Sequence, residues 1–548
     1  MMSTPILKVD NLTVAAGDNR IIDGVSFEVG NSEIYGIYGE SGAGKTTLGR
    51  ALANWLPAGV EQTGGKVLFA GHDLRTTGAN RVTIGRDIAY IGAKPQSALD
   101  PTVPVGPQIV EKLLMVQPGL TRTEAKQRVM DLLHEVRIAS PEERFYDYPT
   151  KYSGGMMQRA MIVDALCADP AVLIADDIIR PLDVTVAAQI VSILKDLCLK
   201  RKMAVIFLAS SLPALRLVAG KVGVMHEGRL IEEQPVETLL TAPKTEYTKT
   251  AISHVPRIWS SNEFPEDRGR ADDKPLMEVR EVSRTYKVRK RGTFGQFNHV
   301  KAVQGVSFDI MPRENFGIVG ESGCGKSTLT RLLTWLEKPD SGDIRLGGTS
   351  LANFSGRELL DKRREFQLLL QDPYNSLPPR VTVGRMIEEG LRLRGTPKAE
   401  MREKVKEAMV SVGLPTSIYD DLPNALSTGE RQRISIARAL VLDPKLLILD
   451  ETLSALDQGE QSKLIDLFAK LQETKDLTYV FISHDLAMVR KVCNRIGVMY
   501  FGKMVEIGDN KSIFFEPKHD YTKALLSAAP TLDEKPFDAG ELGFEPIQ

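Results

Sequence analysis

The chain has 548 residues, 42% hydrophobic and 26% charged, with a formal net charge of −1. That length exceeds what one hydrophobic core serves and points to roughly three or four domain-sized units. A net charge near zero provides no general field for nucleic acid or an anionic membrane, and no apolar run reaches the ~18 residues that a membrane helix needs. The opening MMSTPILKVDNL has neither the basic nor the apolar region of a secretory signal. The four cysteines, Cys167, Cys198, Cys324 and Cys493, are scattered without metal spacing and read as reduced thiols.

In chain order, ILKVDNLTV reads as an opening strand. The strand EIYGIYG then runs into a glycine loop, GESGAGKT, from Gly39 to Thr46, and the helix TTLGRALANWL leaves it. A helix-rich stretch over about 102–170, containing EAKQRVMDLLHEV, leads to the apolar strands AVLIAD and AVIFLA. After a polar, charged, proline-containing segment at about 258–275, the order repeats. PLMEVREVS opens, NFGIVG enters a second loop, GESGCGKS, from Gly320 to Ser327, and STLTRLLTWL leaves it. A second helical stretch at about 379–444, with MREKVKEAMVSV, precedes LLILD and YVFIS. Alternating strands and helices predict a parallel sheet covered on both faces.

Both loops match G-x-x-x-x-G-K-[ST] in the strand–loop–helix context that the motif requires. Glycines let successive N–H groups turn inward around a polyphosphate. The first cradle is Gly39, Ser41, Gly42, Ala43, Gly44, Lys45, Thr46 and Thr47; the second is Gly320, Ser322, Gly323, Cys324, Gly325, Lys326, Ser327 and Thr328. Lys45 and Lys326 are placed to reach the outer phosphates, and the Thr46 and Ser327 hydroxyls to ligate magnesium.

The repeat is internal homology. Ser153 aligns with Ser427, Asp176 with Asp450, Asp183 with Asp457 and Tyr247 with Tyr521, each pair 274 residues apart. Upstream, the spacing grows to 278 at Pro95 and Pro373 and to 281 at the two loops, so insertions and deletions lie in the N-terminal part of each half. The expected organisation is a first half over 1–257, a linker over 258–275 and a second half over 276–548.

The segment LSTGERQR from Leu426 to Arg433, the strand LLILDE, the run SALD at 454–457 and the lone His484 resemble the ABC ATPase family. The resemblance implies two tandem P-loop ATPase domains of the α/β class. Each would have a RecA-like core, an N-terminal antiparallel β subdomain and a helical subdomain. The family closes two such domains head to tail over two ATP molecules, each held between one domain's phosphate loop and the other's signature motif. The resemblance therefore assigns Asp450 and Asp176 to magnesium, Glu451 to the attacking water and Gln371 to magnesium and the γ-phosphate. It assigns His484 to the γ-phosphate and Tyr286 to adenine, although Tyr286 also reads as an ordinary strand aromatic. Signature contacts would come from Ser153, Gly154 and Gly155 in the first half and from Ser427 and Gly429 in the second.

At the same offsets the first half departs from the family. Asp177 stands opposite Glu451, Ser210 opposite His484, Ala93 opposite Gln371 with Gln96 close by, and Ala16 opposite Tyr286. The second signature has Thr428 where the family has glycine. Because signatures act in trans, the resemblance places all of this damage in one composite site, leaving one site that hydrolyses and one that binds with little or no turnover.

Each half also carries a tail, APKTEYTKTAISHVP ending at Pro256 and EPKHDYTKALLSAAP ending at Pro530. These tails resemble the C-terminal element of dipeptide, oligopeptide and nickel importer ATPases, here fused in one chain. The resemblance implies ATP and Mg2+ as cofactors, two transmembrane permease subunits as partners and an extracytoplasmic solute-binding protein acting indirectly. It also implies intramolecular pairing of the halves and a peripheral place on the cytoplasmic face of a bacterial inner membrane. No cysteine follows Pro256 or Pro530 as a ligand cluster, so no iron–sulfur centre is expected. The basic run from Lys287 to Arg291 reads as a solvated hairpin, and no nucleic acid partner is expected. A second reading is a soluble tandem ABC ATPase acting on ribosomes or DNA, and a third is an accessory to a phosphonate-degrading complex.

Overall fold

The computed structural model describes residues 5–76, 82–93, 98–180, 182–260, 264–265, 274–289, 297–370, 377–423, 426–453 and 456–533. Its described residues form two compact units, one running to Val255 with Pro530–Leu532, the other Pro256–Ala529 with Asp533.

In the first unit, Leu7–Ala16 pairs antiparallel with Asn19–Val29 and with Glu61–Phe69. With His72–Asp73 they make a four-stranded sheet. Leu7, Val9, Leu12, Val14, Ile22 and Val25 fill its inner face, as the alternation of apolar and polar residues dictates. A six-stranded sheet follows, in the spatial order Arg229–Pro235, Lys221–His226, Ile34–Tyr38, Ala204–Ala209, Val172–Asp176, Ile88–Ile91. The first pair is antiparallel and the rest are parallel. Every residue of Ala204–Ala209 is buried, which explains why that strand is a continuous apolar run rather than an alternating one. The helices Val105–Val116, Arg122–Glu135 and Gly154–Leu166 form the helical part.

The second unit repeats this plan. Phe297–Ile310, Met277–Arg289, Ser341–Leu346 and Thr349–Ser350 make the four-stranded sheet. The six-stranded sheet runs Phe366–Leu369, Leu446–Asp450, Thr478–Ser483, Asn315–Val319, Arg495–Tyr500, Lys503–Asp509, with only the last pair antiparallel. The opening hairpin is longer here: Tyr286 pairs with Val300 and the strand runs three residues further, to Arg289, whereas in the first unit the matching Ala16 pairs with Asn19 at the strand's end.

The start of the segment expected to be a surface linker is packed. Ile258 is fully buried. The N–H groups of Ile258 and Trp259 donate to the buried Asp533 carboxylate at 2.6 and 3.0 Å, and the Ser260 hydroxyl donates to it at 2.5 Å. Polarity of the segment as a whole concealed one apolar pair, Ile258 and Trp259, and a distant carboxylate that ties down their backbone.

Candidate functional site

In each six-stranded sheet the carboxyl ends of neighbouring parallel strands meet at one edge, where open α/β sheets bind their ligands. In the second unit Asn315–Val319 enters the glycine loop, Leu446–Asp450 delivers Asp450 and Glu451, and Thr478–Ser483 delivers His484. Strand register sets these ends side by side, pairing Val319 with Ser483 and Asp450 with Ile482.

Gly325 precedes the helix Lys326–Leu333 at φ +109°, and a Cβ there would lie 2.1 Å from the Ala302 carbonyl oxygen. Only glycine meets both demands. Gly44 does the same before Lys45–Leu52 at φ +98°. Lys326 is buried, and its ammonium donates to the Gly320 and Glu321 carbonyls at 2.7 and 2.9 Å. Lys45 donates to the Gly39 and Glu40 carbonyls at 2.7 and 3.0 Å. Each loop thus combines a helix N-terminus, a glycine cradle and a cation, which together suit a polyphosphate.

Burial pushes the Asp450 carboxyl up from its usual range, and the adjacent Glu451 charge adds to this, while a hydrogen bond from Thr330 and the charge of Lys326 oppose it. The half-buried Asp450 carboxylate at the strand end and the Ser327 hydroxyl on the loop helix are both hard-oxygen donors of the kind that magnesium takes. Glu451 behaves in the opposite way. Burial disfavours its charge, but the hydrogen bond and charge of His484, with Lys326, outweigh this and hold it below the usual range. His484 Nδ1 lies 3.5 Å from Glu451 Oε1. The Glu451 backbone is left-handed, φ +49°, and its N–H donates to the Ile482 carbonyl at 2.8 Å. An uncommon conformation in a non-glycine residue directly after a buried strand marks a position held by its surroundings.

The first unit keeps this frame and changes the groups on it. Asp177 shares the left-handed backbone, φ +52°, with its N–H donating to the Leu208 carbonyl at 2.9 Å. Its shorter carboxylate accepts from the Ser210 hydroxyl and from Arg180, both at 3.3 Å. Asp176 is buried and accepts from the Tyr90 hydroxyl at 2.8 Å. Burial raises its pKa, while Tyr90 and Thr46 hydrogen bonds oppose the rise.

Tyr90 was not singled out by sequence reasoning. At the 278-residue offset it stands opposite Leu368, and at the 281-residue offset Gly49 stands opposite Thr330. In the second unit the helix threonine hydroxyl donates to the Lys326 carbonyl at 3.0 Å and helps to hold the Asp450 pKa down. In the first, a strand tyrosine donates to the strand aspartate, and a Cβ on Gly49 would sit 2.7 Å from Leu208 Cδ1 and 3.3 Å from the Tyr90 ring. The two exchanges therefore compensate each other in space.

Ser153 caps the helix Gly154–Leu166 by accepting the Met156 N–H at 3.2 Å. Ser427 caps Thr428–Leu440 in a reciprocal capping box with Glu430. Gly155 is required inside its own unit, because a Cβ would lie 2.7 Å from Val186 Cγ1, whereas a Cβ on Gly429 would meet only the movable carboxylate end of Glu460, at 2.5 Å. Gly154 is different: a Cβ there would find nothing within 4 Å. Local packing therefore does not demand glycine at that position, and Thr428 is accommodated at its counterpart. Tyr286 is half-buried, donates its hydroxyl to Glu337 at 2.5 Å, and has the Arg284 guanidinium 5.3 Å from its ring centroid. Gln371 and Gln96 lie outside the described residues.

Residues 22–180 and 303–454 each match the ABC transporter family. The chain belongs to that family. Residues 505–541 also match the C-terminal region of oligopeptide/dipeptide transporters. Among curated relatives of this ABC protein is the peptidoglycan transport ATP-binding protein YejF of Agrobacterium fabrum, 38% identical over 535 residues that cover 96% of both chains. The glutathione import ATP-binding protein GsiA of Pectobacterium atrosepticum is 37% identical over 538 residues, covering 93% of this chain and 86% of its own. Of solved structures, cbiO1 from Clostridium perfringens, part of the ABC transporter complex cbiONQ, aligns with 46% of this chain at 27% identity and a TM-score of 0.40. The protein is an ABC-type ATPase of two repeated domains, of a family that uses ATP with magnesium. Among the described residues no helix is long and apolar enough to cross a membrane.

Proposed function

We propose that this ATPase powers uptake of a peptide-like solute through two transmembrane permease subunits, docked on the cytoplasmic face of a bacterial inner membrane, with an extracytoplasmic binding protein delivering cargo. The observation that carries the reading is the coexistence in one unit of the Lys326, Asp450, Glu451 and His484 set with a C-terminal region of the oligopeptide/dipeptide transporter type.

At the second site, Glu451 kept ionised by His484 accepts the proton of the attacking water, and Lys326 turns from its loop carbonyls to the outer phosphates. Ser327 and Asp450, with Gln371, would hold a magnesium ion, which would neutralise phosphate charge. His484 stands beside Glu451 to meet the γ-phosphate. At the first site Lys45, Thr46 and Asp176 retain the means to bind Mg-ATP. Asp177 is one methylene shorter than glutamate and is held by Ser210 and Arg180, and this supports a site that binds with little or no turnover.

Reconstitution with the permease pair provides the test. Cargo-loaded binding protein on the far side of the membrane should stimulate ATP hydrolysis by this chain. Stable co-sedimentation with ribosomes or with a soluble lyase, and no response to permease, would contradict the transport reading.

A further inference from the structure

The C-terminal tail of the second unit reaches the phosphate loop. Tyr521 lies on the helix Asp520–Ala528 and is buried. Its hydroxyl accepts the buried N–H of Glu321, the second residue of the loop, at 3.1 Å. The carbonyl of that same residue accepts the Lys326 ammonium at 2.9 Å. One residue of the loop is thus held by the tail on its amide side and bonded to the phosphate-binding lysine on its carbonyl side.

The tyrosine is itself held on three sides. Its ring stacks on Tyr500 with centroids 4.0 Å apart. Its N–H donates to His519 Nδ1 at 3.1 Å. The turn before it is pinned by Glu506, whose carboxylate accepts the N–H groups of Lys518 and His519 at 2.8 and 3.1 Å. The hairpin that carries Tyr500 and Glu506 also touches the loop directly, through the Gly502 N–H donating to the Cys324 carbonyl at 2.8 Å. Hairpin, tail helix and phosphate loop therefore form one connected framework. Because a buried N–H left without a partner is costly, the loop shape that satisfies Glu321 is favoured over alternatives.

We propose that Tyr521 is a positioning residue of the second ATP site, and that the transporter-type tail acts as a brace setting the affinity of that site for ATP. This rests on the reading of the second site as the hydrolytic one. The hydroxyl acts on the loop before and during binding and does not touch the reacting atoms, so its loss weakens capture of ATP and leaves the chemical step alone.

Steady-state hydrolysis by the full chain tests this with Tyr521→Phe, which keeps the ring stack and removes only the hydroxyl. The KM for ATP should rise about tenfold, the equivalent of one unmade buried hydrogen bond, while kcat at saturation stays within about twofold. Glu506→Gln, which loosens the turn without altering the tyrosine, should raise KM in the same direction and decides the matter if the first variant does not fold. A KM unchanged in both variants, or a fall in kcat at constant KM, would overturn the brace. Glu451→Gln separates this from failure of the site assignment. If that variant abolishes hydrolysis and Tyr521→Phe leaves KM unchanged, the brace alone is wrong; if hydrolysis survives Glu451→Gln, the assignment itself falls.

Discussion

Glu451 and Asp177 occupy the same backbone niche, with left-handed φ values of +49° and +52° and an N–H given to the neighbouring strand. What separates them is the side chain and its company: a longer carboxylate beside His484, or a shorter one held by Ser210 and Arg180. The Tyr90–Gly49 pair carries the same contrast to Asp176 at the end of the neighbouring strand. Gly49→Ala should destabilise the first unit by about 1–3 kcal/mol through overpacking against Leu208 and Tyr90, seen as a lowered melting temperature of that unit. The equivalent small change at Thr330, to serine, keeps a hydroxyl and should cost clearly less. Equal losses at the two positions would show that the two helices are packed alike. The losses at Asp177 and Ser210 were legible from the repeat alone, because the offset is constant there. Tyr90 was not, since it reads as an ordinary strand aromatic and its partner Asp176 lies 86 residues away.

At the level of elements, the strand–loop–helix units and apolar strands were legible because glycine spacing and continuous hydrophobic runs have few alternative meanings. The tails were visible as a repeated tyrosine and proline pattern, but their destination was not, because the groups they meet lie far away in sequence. In both halves a strand glutamate pins the tail turn, Glu506 in the second and Glu232 in the first. Burial works against the Glu232 charge, but N–H groups of Lys244 and Thr245 and the hydroxyls of Thr248 and Thr245 outweigh it and bring its pKa down from 4.5 to about 2. A depressed carboxylate contributes stability that is present above its unfolded value and lost as pH falls through the folded one. Glu232→Gln should therefore lower the melting temperature most near neutral pH, and the gap should close between about pH 4.5 and about pH 2. A gap that persists undiminished at the acid end would show that the carboxylate charge is not what holds the turn.

At the scale of the whole molecule, the boundary between the units does not follow the polarity of the sequence. Pro256 onward counts with the second unit, and Pro530–Leu532 counts with the first. Within the first unit Arg216 donates to the Leu532 carbonyl at 2.6 Å. Within the second, Asp533 accepts from Ile258, Trp259 and Ser260. Asp533→Ala strands these buried donors and should destabilise the second unit by about 3 kcal/mol, read as an earlier unfolding transition in calorimetry. An unchanged transition would mean that the segment is not part of that unit's folded core.

Asymmetry between the two sites is the central claim, and it is tested most directly by ATP turnover in the reconstituted transporter with one substitution at a time. Glu451→Gln should reduce hydrolysis by about 10²-fold or more, the usual contribution of a positioned base. Asp177→Asn should leave it within about threefold, because that carboxylate is not placed to serve a water. Hydrolysis that survives Glu451→Gln, or that disappears with Asp177→Asn, would contradict the account.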